Sequence, residues 1–450
     1  MKPQTELKRD LGLWSAAAIV VGTVIGSGVF LVATDMVKAV GSVAVVFGVW
    51  VFGGLLSLFG ALTYAELAAA MPEAGGEYVY LGAAYGPLWA YIYGWTQMWV
   101  AKSGSVATLA TAFFLYLGNF FPELDHALAS VPMPFGPPLE IRYGQLCGMV
   151  LILILGGVNY LGVKVGGDVQ VVVTIVKVAL IAFVIVAGLF LGHPEAGGQP
   201  VSTPLSSTGF FAALVAALWA YDGWNNVSMV ASEVREPRRN LPLSLIWGTI
   251  AVIIIYLLAN AAYFHVLSPA KVAASERVAS DMMGAILGRA GANAVAIAAM
   301  ISIFAALNGS ILTGSRVPYA MARDGLFFRS FSSVHPHFRT PGVSILGLSA
   351  WSALILLSGR YKQLYTCVIF ASWILYGMTT ASVIVLRRKL PNMPRPYRTW
   401  GYPVVPVLFV LSALSLVLST LFDSPRESLF GLVLIFIGLP FYLHWKKRVA

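Results

Sequence analysis

Long apolar stretches separated by short polar segments fill the chain from residue 12 to residue 445. Because a helix needs about 20 apolar residues to cross a bilayer, this pattern predicts twelve transmembrane helices in one integral domain over residues 1–450. The predicted fold class is therefore an all-α polytopic membrane protein. The expected spans are 12–38, 42–70, 87–120, 143–163, 168–192, 208–233, 242–267, 290–318, 343–359, 363–386, 402–422 and 428–445.

Composition agrees with a membrane protein. The chain is 58% hydrophobic and 11% charged, with a mean hydropathy of +0.80, whereas soluble domains carry about 25% charged residues. The short charged segment Met1–Asp10 precedes an apolar stretch, as in a secretory signal, but no small-residue cleavage site follows it. We expect the first span to be retained.

The distribution of positive charge predicts the orientation. The formal net charge is +10, and most basic residues lie between spans. With the N-terminus inside, the inner segments, which include Lys2 and the loops 233–242 and 387–398, hold more than twice as many Lys and Arg residues as the outer segments, which include Arg360. The positive-inside rule therefore places both termini in the cytoplasm. The basic loops indicate orientation and contact with anionic lipid, not binding of nucleic acid.

No sequence motif predicts a cofactor or a metal. Cys147 and Cys367 lie in apolar segments and are interpreted as packing residues. The histidines have no metal-ligand spacing, and the sequence shows no nucleophile elbow, P-loop or Rossmann glycine pattern.

A glycine-rich break interrupts the first span. Residues 20–30 read VVGTVIGSGVF, and Gly22 with Gly26 form a GxxxG motif that is typical of helix packing in membranes. Ser27 and Gly28 favour a second interpretation, because three glycines in seven residues weaken a helix. An unwound segment would leave amides free at the start of the next half-helix, where they would bind a carboxylate.

A second break lies in the sixth span, where residues 217–226 read ALWAYDGWNN. Asp222-Gly223 is a strong turn dipeptide. An acidic residue inside a span is a functional candidate, and Asp222 either caps the second half of its helix or contacts the substrate. Carbonyls freed before the break would receive an ammonium group. A carboxylate at one break and an ammonium at the other describe an α-amino acid.

Four motifs, in order, resemble the amino acid–polyamine–organocation superfamily and, within it, the L-type amino acid transporter family, bacterial type. They are GTVIGSGVF (22–30), YAELAAAMPEAGGEYVYL (64–81), LWAYDGWNNVSMVASEVREPRRNLP (218–242) and NGSILTGSRVPYAMARDGLFF (308–328). The resemblance implies a LeuT-type fold, in which helices 1–5 (about 12–192) and 6–10 (about 208–386) form inverted repeats. Helices 1 and 6 would be discontinuous, and helices 11 and 12 (about 402–445) would be added.

The resemblance also implies roles for individual residues. Substrate carboxylate would be bound by Ile25, Gly26, Ser27 and Gly28. Main-chain carbonyls of Trp219, Ala220 and Asp222 would bind the amine, and Asn225 would lie near the pocket as a polar residue. Trp219 stands where the family has an aromatic gate, although core packing is the alternative. Relatives often have glycine in place of Asp222. Animal family members pair with a glycoprotein through an outer-loop cysteine, but residues 121–142 contain none, so we expect no disulfide-linked heavy chain.

Lys177 lies deep inside the fifth span, where a lysine costs roughly 2.5 kcal/mol or more. Similarity to sodium-independent relatives suggests that its ammonium replaces a sodium ion. It would bind carbonyls of the first span near Gly22 and hydroxyls of the eighth span, such as Ser310 or Thr313. A lysine that loses its proton would instead couple transport to protons, and the third possibility is that Lys177 only extends towards the interface. Lys102 in the third span is a candidate for a solvated path.

These observations and the resemblance predict an inner-membrane transporter of neutral L-amino acids that works by alternating access. Small substrates are favoured because Trp219 would crowd the pocket. Sodium-independent exchange is the favoured mode, and proton-coupled symport is the alternative. An intramembrane enzyme would need a catalytic constellation on facing helices, which the sequence does not show, and a channel or structural role is a further alternative.

Overall fold

The computed structural model describes residues 7–132, 139–194, 206–358 and 361–449. The expectations for Lys2 and Arg360, and for most of the predicted outer loop 193–207, fall outside these residues. The chain is mostly helical. Its helices are α1 (Leu13–Val24), α2 (Gly28–Val40), α3 (Val43–Ala70), α4 (Glu77–Tyr85), α5 (Pro87–Thr96), α6 (Lys102–Leu117), α7 (Tyr143–Tyr160), α8 (Val163–Phe190), α9 (Ser207–Tyr221), α10 (Pro237–Val266), α11 (Pro269–Ala274), α12 (Val278–Gly314), α13 (Arg316–Arg323), α14 (Gly342–Ile355), α15 (Tyr361–Lys389), α16 (Val404–Asp423) and α17 (Pro425–Val449).

Nine stretches of helix in the described part of the chain are long and apolar enough to cross a membrane. The other three predicted spans are also largely helical. The span 208–233 contains α9, which the break shortens to 15 residues. The span 343–359 contains α14 and a final turn at Leu356–Ser358, and 428–445 lies in α17.

The structure corrects several details of the predicted spans. The eighth helix begins at Val278, not near residue 290, with a kink at Gly288 whose φ is +63°. The third span is interrupted by a π-helical turn at Gln97–Ala101. The predicted outer loop 121–142 contains two antiparallel strands, β1 (Ala127–Val131) and β2 (Leu139–Arg142). Over the described residues, the fold is therefore helical with one short two-stranded ribbon.

Both predicted breaks are present and buried at the centre of the helices. The first separates α1 from α2 at residues 25–27. The second follows α9, and a 3₁₀ segment, Asn226–Glu233, continues the chain. α1 packs against α8, α10 and α12, while α2 packs against α9. This packing surrounds the irregular main chain with protein, which is the condition under which a bilayer tolerates it.

Candidate functional site

The first break frees main-chain groups at two helix ends. Ile25 leaves the helical conformation with ψ of 83°, and the Gly26 amide donates to the Val24 carbonyl at 2.7 Å in a tight turn. α2 then begins at Gly28, so its first amides have no partner within the helix and carry the positive end of its dipole. A built Cβ on Gly28 would lie 2.5 Å from Ala220 Cα. Glycine is therefore needed here because the two broken segments touch.

The second break is built by Asp222 and Gly223. Asp222 is extended, and Gly223 has a φ of +107°, which favours glycine. The Asp222 carboxylate accepts a hydrogen bond from the Tyr376 hydroxyl at 2.9 Å. The N-cap of the following 3₁₀ segment is Asn225, not Asp222. Of the two roles considered for Asp222, the structure therefore favours a side chain that faces the cavity over a cap of the following segment.

A small cavity lies between the two breaks. Its free volume for water is about 10 Å³, which is room for roughly one water molecule. The structure is thus in a closed state in which an amino acid would have to displace its surroundings. The cavity is lined by Thr23, Val24, Gly26, Ser27, Gly28, Ser105, Leu109, Trp219, Asp222, Gly223, Asn226 and Ser310.

Three of the predicted binding residues do not line this cavity. The Ile25 carbonyl accepts from Lys177 Nζ at 2.6 Å. The Ala220 carbonyl accepts from the Tyr256 hydroxyl at 2.8 Å. Asn225 donates to the Glu77 carboxylate, and its neighbour Asn226 faces the cavity instead. The two side chains diverge because in a 3₁₀ turn neighbouring side chains point about 120° apart. A role for Asn225 in substrate binding stays a prediction.

An aromatic cluster that the sequence analysis missed covers Trp219. Trp219 Nε1 donates to the Tyr361 hydroxyl at 2.8 Å, and Ser27 Oγ lies 2.9 Å from the same hydroxyl. The Trp219 ring stacks on Tyr365, whose hydroxyl donates to Asp35 at 2.8 Å. The i, i+4 spacing of Tyr361 and Tyr365 at the start of the tenth span indicates that they share a helix face. It is the sequence signal by which the cluster could have been found.

Lys177 connects the first break to two other helices. It is 0% exposed, and its Nζ donates to the carbonyls of Gly22 at 2.5 Å, Ile25 at 2.6 Å and Ser302 at 3.4 Å. The predicted contact with the Gly22 carbonyl is confirmed.

The predicted hydroxyl partners of Lys177 are not observed. Thr313 Oγ1 donates to the Gly309 carbonyl, and Ser310 lines the cavity. Ser302 takes their place, and its hydroxyl donates to the Ile25 carbonyl at 2.9 Å. Ser302 lies about two turns before Ser310 on α12.

A second polar cluster lies beside the cavity. Lys102 Nζ donates to Asn226 Oδ1 at 2.6 Å, and Glu77 accepts from the Tyr93 hydroxyl at 2.8 Å. Farther along the 3₁₀ segment, Glu233 forms a fully buried pair with Arg316. In the part of the chain that the structure describes, no group of three or more His, Cys, Asp or Glu residues is arranged to hold a metal ion.

Comparison with known proteins gives matches along nearly the whole chain. The model of a family described as amino acid permease matches residues 11–438. The serine/threonine exchanger SteT of Bacillus subtilis is 32% identical over 447 residues, which cover 99% of this chain and 98% of that protein. The b(0,+)-type amino acid transporter 1 of Homo sapiens is 32% identical over 453 residues, covering 98% and 89%.

A third relative, the cystine/glutamate transporter of Homo sapiens, is 30% identical over 453 residues, which cover 99% of this chain and 87% of that protein. All three relatives are transporters or exchangers by name. The chain therefore belongs to the amino acid permease family and, within the amino acid–polyamine–organocation superfamily, is an L-type membrane transporter and not an enzyme.

Proposed function

We propose that the protein exchanges neutral L-amino acids across the inner membrane by alternating access, without sodium. The observation that carries this proposal is the cavity between the two breaks. One side offers the free first-turn amides of α2, which suit a carboxylate. The other side offers the C-terminal end of α9 and the Asp222 carboxylate, which suit an ammonium group. Together they match the backbone of an α-amino acid.

The proposed architecture has twelve spanning helices in a LeuT-type arrangement. The first span is α1 with α2, and the sixth is α9 with the 3₁₀ segment that follows it. Helices 1–5 and 6–10 would form the inverted repeats, with α16 and α17 added. Both termini would be cytoplasmic. No disulfide-linked heavy chain is proposed, because residues 121–142 contain no cysteine and Cys147 and Cys367 lie in α7 and α15.

The cavity lining favours small polar substrates. The side chains of Ser105, Asn226 and Ser310 add hydrogen-bonding groups to a space of very limited volume. Trp219 would act as the gate, because its indole is held over Ser27 through the shared hydroxyl of Tyr361. The name of the Bacillus subtilis relative, a serine/threonine exchanger, agrees with this substrate size.

The contacts of Lys177 support sodium independence. Its ammonium donates hydrogen bonds to carbonyl oxygens of α1 and α12, which would otherwise be available to bind a cation. A fixed charge at this place removes the need for a bound sodium ion. Proton coupling through Lys177 remains the alternative mode.

Transport by purified protein in liposomes tests the proposal. We expect uptake of labelled serine, threonine or alanine only when the liposomes contain unlabelled amino acid, with equal rates in sodium and choline buffers. Uptake into empty liposomes that follows an imposed pH gradient would favour proton symport. Flux that does not saturate with substrate would favour a channel.

Substitutions of glycine at the first break should abolish substrate binding. In Gly26→Val, the added methyl groups enter space where a Cβ already lies 3.0 Å from Leu109 and 3.3 Å from Ala306. Gly28→Ala places its Cβ against the main chain of Ala220. We expect both variants to lose the substrate-induced shift in melting temperature. Gly48→Ala on α3, whose Cβ would meet nothing within 4 Å, is the matched control. Normal affinity in Gly26→Val would mean that this glycine serves only helix packing.

A further inference from the structure

Glu77 is a fully buried carboxyl group outside the membrane-spanning segments. It is the first residue of α4 and is 0% exposed. It accepts hydrogen bonds from the Tyr93 hydroxyl at 2.8 Å and from the Asn225 side chain. Asn225 lies three residues after Asp222, so Glu77 is hydrogen-bonded to the segment that follows the second break.

The main chain beside Glu77 is also attached to this segment. The Gly75 amide donates to the Met229 carbonyl at 2.9 Å. Gly76 has a φ of +56°, and a built Cβ on it would lie 3.0 Å from the Met229 nitrogen. The start of α4 therefore packs closely on the 3₁₀ segment, and movement of that segment must break the contacts of Glu77.

The charges around Glu77 do not balance when every group is ionised. Lys102 interacts electrostatically with both Asp222 and Glu77, so one ammonium faces two carboxylates. This cluster carries one net negative charge, and it becomes neutral when one proton binds. A buried cluster strongly favours the neutral form. The remaining titratable groups that face Glu77 are the hydroxyls of Tyr64 on α3, Tyr80 on α4, Tyr93 on α5 and Tyr376 on α15.

Glu77 is the better of the two carboxylates to hold that proton. Asp222 lines the cavity, where water or substrate reaches it, whereas Glu77 does not. Burial raises the pKa of Glu77 to about 7, although its hydrogen bonds with its own amide, Tyr93 and Asn225 and the charge of Lys102 oppose the shift.

We propose that Glu77 is a proton-binding site whose occupancy holds the segment after the second break closed, so that opening of this segment releases a proton. The inference rests on the proposed transport function and extends it, because it makes the exchange cycle depend on pH. Once the segment moves away, Glu77 meets water and returns towards its ordinary acidity. Protons therefore favour the closed state.

The size of the effect follows from the two protonation equilibria. With a pKa of about 7 when closed and 4.5 when open, the open fraction falls about tenfold between pH 8 and pH 6. We expect exchange in liposomes, with equal pH on both sides, to slow by about that factor. In Glu77→Gln, which imitates a group that stays protonated in both states, exchange at pH 8 should be at least as slow as wild-type exchange at pH 6.

The matched control is Glu73→Gln, because Glu73 is an exposed acid four residues earlier on the same loop. It should keep the wild-type pH profile. A flat wild-type profile, or a Glu77→Gln variant that keeps the wild-type profile or exchanges rapidly at every pH, would overturn the proposal. If Glu77→Gln does not fold, Tyr93→Phe removes one hydrogen bond to the carboxylate and should move the midpoint of the profile to higher pH. An unmoved midpoint would then count against Glu77.

Thermal stability separates this inference from the transport proposal. The folded-state pKa of Glu77 lies above its ordinary value of 4.5, so its contribution to stability is complete below pH 4.5 and is lost as pH rises through 7. The melting temperature of the wild type should fall from pH 6 to pH 8, and that of Glu77→Gln should fall less. This result would support the proton site even if no amino acid were exchanged. Equal slopes would refute it even if exchange were rapid.

Discussion

Lys177→Ala is expected to abolish amino acid exchange while the protein remains folded in the membrane. The ammonium donates to carbonyls at the end of α1 and on α12, and it is completely buried. Each hydrogen bond to a charged group contributes about 1.5–3 kcal/mol. Removing them leaves a void beside the carbonyls of Gly22 and Ile25, where, among the described residues, only the Ser302 hydroxyl still donates to Ile25.

The effect should be large because it concerns the geometry of the break. Loss of one such bond shifts the equilibrium that favours the observed geometry of the break by about tenfold or more, and loss of two shifts it by about a hundredfold or more. We therefore expect exchange in liposomes to fall to roughly one hundredth of the wild-type rate or below. Binding of substrate, measured by thermal shift, should weaken in parallel, since the α2 amides lose their fixed position.

Lys38→Ala provides the control, because Lys38 lies near the end of α2 and is exposed. Its exchange should equal that of the wild type. Full activity in Lys177→Ala would show that the lysine only packs or extends towards the interface. Activity that returns in Lys177→Ala when sodium is added would be strong support for the idea that the ammonium replaces an ion.

The breaks could be predicted from the sequence because their cause is local. Glycine spacing and the Asp222-Gly223 dipeptide weaken or turn a helix wherever they occur. The prediction of the breaks needed no knowledge of how distant helices are aligned. The burial of Lys177 indicates only that its ammonium needs oxygen partners, and the resemblance to sodium-independent relatives pointed to Gly22.

The errors concern alignment between distant helices. Ser310 and Thr313 were chosen from the resemblance, whereas the contact with Ser302 depends on how α8 and α12 are aligned along their length. Tyr361 was missed because it joins Trp219 across 142 residues of chain. Glu77 was quoted within a motif, but its burial against Asn225 arises from packing of α4 on the 3₁₀ segment. Hydrophobic patterns carry little information about such contacts, because these central helices are apolar on every face.

Glu233 and Arg316 give the second large expected effect, because they form a buried ion pair. Both side chains are 0% exposed. Arg316 donates through Nε at 2.8 Å and through Nη2 at 3.1 Å to the two oxygens of Glu233. The pair joins the end of the 3₁₀ segment to the start of α13. Removing one partner of such a pair costs about 3–5 kcal/mol, because the other charge stays buried and unpaired.

We expect Glu233→Gln and Arg316→Met each to lower the melting temperature by several degrees and to reduce the amount of folded protein recovered from membranes. The double variant Glu233→Leu with Arg316→Met should recover much of the loss, since no unpaired charge remains. The control is the nearby pair Arg239–Glu236, which spans 3.9 Å with both side chains 73% exposed, and whose removal should change little. Arg316 also donates to the Leu312 carbonyl at 2.6 Å and to the Ser315 hydroxyl at 2.9 Å. If the double variant is no more stable than either single variant, these two hydrogen bonds contribute more to stability than the ion pair with Glu233.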